Sequence, residues 1–142
     1  MTADEIARAS ADTMWASDRA SQLLGMEIVE VAPGRATVSM VVRPDMINGW
    51  DVCHGGFIAS LADSAFALAC NSHGEVTLAS GFDITLLEPA HAGDALLAVA
   101  EQRANRGRTG IYDVTVTRTD GAGPATIAEF RGRSHATGRP IN

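Results

Sequence analysis

The fold of this chain is decided by residues 48–74, which read NGWDVCHGGFIASLADSAFALACNSHG. Two glycines followed by a long run without Gly or Pro indicate a loop that leads into a helix, and Gly74 is a typical C-terminal stop signal. We therefore predict a helix over residues 55–73, with the remaining elements arranged around it.

The predicted helix has two different faces. At about 100° per residue, one half of the helix collects its apolar side chains, namely Phe57, Ile58, Leu61, Ala62, Ala65, Phe66, Leu68 and Ala69. The opposite half carries one carboxylate, Asp63, among Ala59, Ala67 and Cys70. Because an exposed helix usually carries several long charged residues on its polar face, we expect another part of the molecule to pack against the Asp63 face.

The start of the helix is a candidate anion site. The amides of His54, Gly55 and Gly56 are expected to lack intrahelical partners and to lie at the positive end of the helix dipole, where they can bind a developing oxyanion. Asp63 lies about 10 Å further along the helix axis, so one carbonyl group cannot reach both features. If both act on one substrate, Asp63 of one subunit must approach the Gly55 region of another, which requires at least a dimer.

Length and composition narrow the class of protein. A chain of 142 residues, 46% hydrophobic and 20% charged, is typical of one globular domain, here predicted over residues 1–142. The net charge of −6 disfavours nucleic-acid and membrane partners. No apolar run approaches the roughly 18 residues of a membrane span, and two cysteines are too few for a disulfide scaffold. We expect a cytoplasmic protein with reduced thiols.

The segments before the helix read as two helices and a hairpin. Residues 1–25 are predicted to be helical over 3–16 and again in a short helix that Asp18 caps. Alternating apolar residues on both sides of Pro33-Gly34 indicate a β-hairpin. A loop of about ten residues, Pro44 to Cys53, then leads to the helix, and loops of that length are often functional.

Four strands are predicted after the helix, near residues 76–88, 94–104, 109–119 and 125–136. Since the links between them are short, we expect consecutive strands to be antiparallel neighbours. An antiparallel sheet with one long apolar helix is best arranged as a two-layer α+β domain, with the sheet curled around the helix.

These residues resemble the hotdog-fold acyl-CoA thioesterases, and within them the phenylacetate-degradation (PaaI-type) enzymes. The resemblance covers roughly residues 20–140. It rests on NG at 48–49, CHGG at 53–56, LADSAF at 61–66, ACNS at 69–72, AGD at 92–94 and FRGRSH at 130–135. It implies a hotdog fold and a homodimer, commonly assembled into a homotetramer. The implied reaction is hydrolysis of aryl-acetyl or hydroxyphenylacetyl thioesters of coenzyme A, without a metal or another cofactor.

The resemblance also implies roles for individual residues. Asp63 matches the catalytic carboxylate, Gly55 the oxyanion donor, and Asn48 and His54 the polar residues beside the thioester, while Gly56 adjoins the substrate. Asp63 would either activate water or attack the carbonyl directly, and the sequence leaves both paths open. Asn48 also fits a simple turn, and His54 fits a loop-fixing role as well as a polarising one.

Arginines around the last turn signals have two interpretations. Arg103, Arg106 and Arg108 could bind the phosphates of coenzyme A, for which guanidinium groups are suited. Ordinary solvated turn charge is the other interpretation, and the commoner one for such residues. We take Arg106 and Arg108 as candidate substrate-binding residues.

The cysteines and histidines near the helix raise two other kinds of site, a cysteine nucleophile and a zinc site. Cys53 beside a helix start could be an activated thiolate, although the adjacent His54 points away in an extended loop. A zinc site would need Cys53 and His54 to meet Cys70 and His73, and these pairs lie about 25 Å apart at opposite ends of one helix. No metal site is predicted.

Two rival functions fit the same pattern. The first is a hotdog enoyl-thioester hydratase or dehydratase, which needs a base placed to move a proton at carbon. The second is a non-catalytic acyl-CoA-binding module. Crotonyl-CoA distinguishes the first, since loss of its double bond and release of thiol are separate signals, whereas binding without thiol release favours the second.

Overall fold

The computed structural model describes residues 1–121 and 123–142. Its elements in chain order are α1 (Ala3–Ser17), α2 (Arg19–Leu23), β1 (Glu27–Ala32), β2 (Arg35–Val41), a 3-10 turn (Pro44–Met46), α3 (Gly55–Cys70), β3 (Glu75–Leu86), β4 (Ala95–Arg106), β5 (Thr109–Arg118) and β6 (Ala125–Pro140). The predicted N-terminal helices and hairpin are confirmed, and the side chain of Asp18 caps α2 by accepting a hydrogen bond from the Ser21 amide at 2.9 Å.

All six strands form one antiparallel sheet in the order β1-β2-β4-β5-β6-β3. Helix α3 lies against one face of this sheet. Phe66 of α3 packs between two rings of the sheet, 5.7 Å from Tyr112 and 5.8 Å from Phe130 between ring centroids. A Cβ at Gly132 would lie 2.8 Å from the Phe66 ring, so this glycine allows the helix to approach β6 closely. The predicted α+β arrangement is confirmed.

The two faces of α3 differ in burial as the periodicity predicts. On the predicted apolar face, Phe57 in the first turn is partly buried, and the others are buried, namely Ile58, Leu61, Ala62, Ala65, Phe66, Leu68 and Ala69. The Asp63 face is partly covered by α2, whose Ser21 hydroxyl lies 2.7 Å from the hydroxyl of Ser64. The expectation that another element packs against this face is confirmed.

Helix α3 ends at Cys70, three residues before the predicted end. The side chain of Asn71 donates to the carbonyls of Ala67 and Thr77 and accepts from the Thr77 amide. These bonds satisfy the end of the helix and turn the chain into β3. Gly74, with φ of +88°, takes part in that turn and does not end the helix directly.

The predicted pairing of β3 with β4 is wrong. β3 pairs with β6, whereas β4 lies between β2 and β5. The link over residues 87–94 explains the difference, because eight residues can span up to roughly 27 Å, and crossing two intervening strands requires only about 14 Å. The link therefore passes over the ends of two strands, and β3 becomes an edge of the sheet.

Candidate active site

The loop before α3 is held in one shape by the side chain of Asn48. Its Oδ1 accepts hydrogen bonds from the amides of Trp50 at 2.9 Å and Val52 at 3.3 Å, while its own backbone amide donates to the Val52 carbonyl. Asp51 adopts a φ of +62°, in the left-handed region. The Asn48 oxygen is thus used by the turn. Its Nδ2 group forms no hydrogen bond among the described residues and is the part that could bind a substrate.

His54 caps the N-terminus of α3. Its Nδ1 accepts from the Gly56 amide at 2.9 Å, and its own amide donates to the Met46 carbonyl at 2.8 Å. The expectation that three free amides lie here is therefore wrong for His54 and Gly56. Within the described residues, only the Gly55 amide of this group lacks a hydrogen-bond acceptor. In a neutral His54 ring the proton lies on Nε2, since Nδ1 accepts.

Gly55 lies under the end of strand β3. A Cβ at this position would lie 2.7 Å from Cδ1 of Leu86, closer than atoms in contact approach. The absence of a side chain lets the first amide of the helix stay open while Leu86 covers the loop. This geometry, together with the helix dipole, suits the amide to bind a negatively charged oxygen.

Asp63 lies half-buried beside a cavity of about 220 Å³ between α2 and α3. The cavity is also lined by Asp18, Ala20, Ser21, Leu24, Met26, Ser60, Ser64 and Ala67. Among the described residues no hydrogen bond and no ion pair involves the Asp63 carboxylate. Burial, and then the negative charge of Asp18, raises the pKa of Asp63 above its usual value. Such a carboxylate is a stronger base than an exposed one. As a nucleophile, it also has no hydrogen-bond partner among the described residues that must be displaced before it attacks.

The two cysteines are buried, free thiols. Burial, and then the charge of Asp94, raises the pKa of Cys53 to about 11. Burial, and then the charge of Asp63, raises that of Cys70 to about 12. Both are protonated at neutral pH, which argues against the thiolate nucleophile considered for Cys53. No group of three His, Cys, Asp or Glu residues that could hold a metal occurs in the described part of the chain.

The candidate arginines lie far from the Gly55 amide within one chain. Arg106 ends β4 at the tip of the β4–β5 hairpin. Arg108 lines a cavity of about 90 Å³ together with Cys70, at the C-terminal end of α3, and α3 is about 24 Å long. Arg103 pairs with Asp113 at 3.3 Å. One subunit thus brings together Asn48, His54, Gly55 and Gly56, but neither Asp63 nor the arginines join them.

Sequence comparison assigns the chain that carries this site to a family. The family model described as thioesterase superfamily matches residues 51–125, which include the end of the loop, Gly55 and Asp63. The chain belongs to the thioesterase superfamily. The predicted hotdog fold and the predicted class of enzyme, a thioester hydrolase, are thereby confirmed.

Individual relatives agree with this assignment. The chain is 42% identical to the acyl-coenzyme A thioesterase PaaI of Escherichia coli over 132 residues, which are 93% of this chain and 92% of that protein. The structure of E. coli PaaI, a protein from the phenylacetic acid degradation operon, matches with a TM-score of 0.93 at 40% identity, covering 98% of this chain and 99% of that one. A mutant of the phenylacetic acid degradation protein PaaI from Thermus thermophilus matches with a TM-score of 0.79 at 33% identity, covering 84% of this chain and 100% of that one. The predicted PaaI-type resemblance is confirmed.

None of the helices in the described residues combines the length and the apolar character needed to cross a membrane.

Proposed function

We propose that this protein hydrolyses aryl-acetyl thioesters of coenzyme A, such as phenylacetyl-CoA or hydroxyphenylacetyl-CoA, to the free acid and coenzyme A during the degradation of aromatic acids. The similarity to PaaI supports the choice of substrate. One observation carries the choice of residues. Among the described residues, the Gly55 amide at the start of helix α3 has no acceptor and the half-buried Asp63 carboxylate has no partner, and thioester hydrolysis needs these two kinds of group.

The reaction follows from these two groups. The Gly55 amide donates to the carbonyl oxygen and stabilises the negative charge that forms there during attack. As a general base, Asp63 takes a proton from water while the water oxygen bonds to the carbonyl carbon. The tetrahedral intermediate then expels the thiolate, which receives the proton from Asp63. If Asp63 attacks directly, its carboxylate oxygen bonds to the carbonyl carbon and the coenzyme A thiolate leaves, which gives a mixed anhydride. Water then cleaves the anhydride, the Asp63 carboxylate and the free acid are released, and the proton from water goes to the thiolate.

The Nδ2 group of Asn48 and the ring of His54 are proposed to flank the thioester at the Gly55 amide. The Asn48 turn fixes the position of its amide group, and the exposed His54 ring lies at the start of the same helix. Gly56 adjoins the substrate through its backbone, although its amide is occupied by His54. The reaction as proposed needs no metal and no cofactor besides the coenzyme A of the substrate.

A second subunit is proposed to complete the site. Strand β3 is a 12-residue edge strand whose side chains Leu78, Phe82 and Leu86 are exposed by 42–57%. Unpaired edges of this length are templates for pairing with another chain. Because Leu86 also covers Gly55, a partner that pairs along β3 would arrive next to the oxyanion amide. We propose a homodimer of this kind. From the resemblance to the PaaI-type enzymes, we also propose that two such dimers form a homotetramer.

Two further parts of the proposal concern the substrate and the compartment. Arg106 and Arg108, remote from Gly55 within one chain, are proposed to bind the phosphates of coenzyme A in a site formed by another subunit. The whole chain, residues 1–142, is proposed to act as one domain in the cytoplasm, where buried free thiols such as Cys53 and Cys70 remain reduced.

Thiol release from a panel of acyl-CoAs tests the function. The panel contains phenylacetyl, hydroxyphenylacetyl, benzoyl, short-chain and long-chain thioesters. We expect preference for the aryl-acetyl substrates, and we expect Asp63→Asn to lower kcat at least about a hundredfold, the scale of general-base loss. Asp12→Asn, which removes an exposed carboxylate from α1, is the matched control and should behave as the native protein.

Three other results would each contradict part of the proposed function. Near-normal turnover by Asp63→Asn would remove Asp63 from the mechanism. Loss of the double bond of crotonyl-CoA without thiol release would indicate a hydratase. Tight binding of acyl-CoA with no turnover across the panel would indicate a binding module.

A further inference from the structure

Helix α2 brings two polar residues to the cavity beside Asp63. Asp18 and Ser21 line this cavity together with Asp63 and Ser64 of α3. Ser21 is only 3% exposed, although the helix to which it belongs has five residues and lies at the surface. A buried serine in a short surface helix needs a specific partner, and Ser21 has two.

The hydrogen bonds of Ser21 have a fixed direction. Its hydroxyl donates to Oδ2 of Asp18 at 2.7 Å, so the hydroxyl has no proton left for the contact with Ser64. The Ser64 hydroxyl, 2.7 Å away, must therefore donate to Ser21. The result is a chain that runs from Ser64 through Ser21 to the Asp18 carboxylate. It joins α2 to the turn of α3 that also carries Asp63.

Capping of α2 does not explain all of this arrangement. A helix cap requires one acceptor, and Oδ1 of Asp18 supplies it by accepting from the Ser21 amide at 2.9 Å. The second oxygen of Asp18 and the Ser21 hydroxyl extend the contact across to α3. A serine or asparagine would cap α2 equally well, without adding a second negative charge to a cavity that already holds Asp63.

The charge of Asp18 acts on a carboxylate that has no ion-pair partner in the part of the chain that the structure describes. The titratable groups that adjoin Asp63 are Asp18 from α2 and Cys70 from α3, while the residue from the strand side of the cavity, Met26, is uncharged. Burial, and then the charge of Asp18, raises the pKa of Asp63. A base whose pKa is raised toward the working pH accepts a proton from water more effectively.

We propose that Asp18 and Ser21 are positioning residues for the Asp63 carboxylate: Ser21 fixes the turn of α3 that carries Asp63, and Asp18 places a like charge across the cavity. The inference rests on the proposed function, in which ionised Asp63 is the base or the nucleophile. It assigns to the N-terminal helical segment a role in the chemistry beyond covering the fold.

The pH dependence of kcat/KM tests the role of Asp18. The acidic limb of this profile reports protonation of Asp63 in the free enzyme, because activity requires the ionised form. Asp18→Asn and Asp18→Ser keep a cap for α2 but remove the charge. Both should move the acidic limb to lower pH by roughly 0.3 to 1 unit, the scale of a like charge in a partly solvated site. Asp12→Asn, which removes one negative charge from α1, should leave the limb in place.

A double-mutant cycle tests the role of Ser21. Ser21→Ala and Ser64→Ala should each lower kcat by about threefold to tenfold with KM nearly unchanged, since a displaced base is less productive while binding persists. The double variant should be no worse than either single one, because both changes break the same contact.

The outcomes separate this inference from the proposed function. If Asp63→Asn abolishes turnover but the acidic limb is the same in native protein, Asp18→Asn and Asp18→Ser, the role of Asp18 is overturned and the function stands. Additive effects of Ser21→Ala and Ser64→Ala would overturn the positioning contact. If Asp63→Asn stays active, the proposed function fails first, and the inference fails with it.

Discussion

The two halves of the candidate site are built in opposite ways. In the loop before α3, Asn48 and His54 use their side chains to satisfy backbone amides, and of the backbone amides of residues 54–56 only that of Gly55 is left without an acceptor among the described residues. In the cavity beside α2, hydroxyls and Asp18 satisfy one another, and the Asp63 carboxylate is left without a hydrogen bond among the described residues. Within the described residues, each half thus leaves its proposed catalytic group, the Gly55 amide or the Asp63 carboxylate, without a hydrogen bond.

The unpaired group differs in kind between the halves, and this difference is informative. A donor at the positive end of a helix is suited to receive negative charge, and it requires a fixed position. A carboxylate with a raised pKa is suited to accept a proton or attack a carbonyl, and it requires an environment that does not neutralise it. The loop half therefore depends on geometry, whereas the cavity half depends on electrostatics.

The largest effect on the loop half should come from Gly55→Ala. The added Cβ would lie 2.7 Å from Cδ1 of Leu86, so the Leu86 side chain must rotate away, and the new methyl group would lie beside the amide at which the oxyanion binds. We expect kcat/KM to fall about tenfold to hundredfold, less than the roughly hundredfold to thousandfold loss on removal of an oxyanion donor, because the amide itself remains. Gly49→Ala is the matched control, because its Cβ would meet nothing within 4 Å and Gly49 has no positive φ.

A heterodimer of two variant subunits tests whether Asp63 and Gly55 act across subunits. The Asp63→Asn and Gly55→Ala variants can be co-expressed with different affinity tags. The heterodimer is then isolated by two purification steps, one for each tag. If each active site takes Asp63 from one subunit and Gly55 from its partner, a heterodimer contains one intact site and should recover about half of the native activity. A heterodimer as inactive as its parents would show that both groups act within one subunit.

A smaller effect should separate the two roles of His54. His54→Ala removes the cap of α3 and should lower the free energy of unfolding by about 1 kcal/mol, together with several-fold lower activity. Asn can accept the same hydrogen bond, so His54→Asn should recover most of the stability and activity. Thermal unfolding and thiol release measure both. A variant His54→Asn that is stable but inactive would instead assign His54 a polarising role.

The smallest effect concerns stability and belongs to the cavity half. Because burial and Asp18 raise the pKa of Asp63, the folded state binds a proton more readily than the unfolded chain does. Stability therefore falls as pH rises through this pKa, and ionised Asp63 destabilises the fold at neutral pH. Asp63→Asn should raise Tm by a few degrees at pH 7.5, and the gain should shrink toward pH 4.

Thermal melts at several pH values check this prediction. Asp12→Asn is the control, since its side chain is 60% exposed and pairs with Arg8. A Tm for Asp63→Asn at or below the native value at neutral pH would contradict the unneutralised carboxylate. Such stabilisation by loss of a functional group is typical of active sites.

The sequence predicted the local features of the fold and missed one long-range feature. Periodicity located the buried face of α3, and the cap at Asp18 located α2, because both signals lie within a few neighbouring residues. The pairing of β3 was predicted wrongly, since an eight-residue link can either form a turn or cross two strands, and only the strand order of the folded sheet decides between them. The end of α3 depended on Thr77, which lies in the next strand.

For the candidate site, the sequence by itself determined which residue types are present and on which face of α3 they lie, including the carboxylate of Asp63 and the glycine at position 55. Only the tertiary structure decided that Leu86 covers Gly55 and that Asp18 faces Asp63 across a cavity. The physical reason is the range of the interactions. Helical periodicity and capping propensity act between close neighbours in the chain, whereas hydrogen-bond satisfaction, burial and charge act through space between segments that the fold alone brings together.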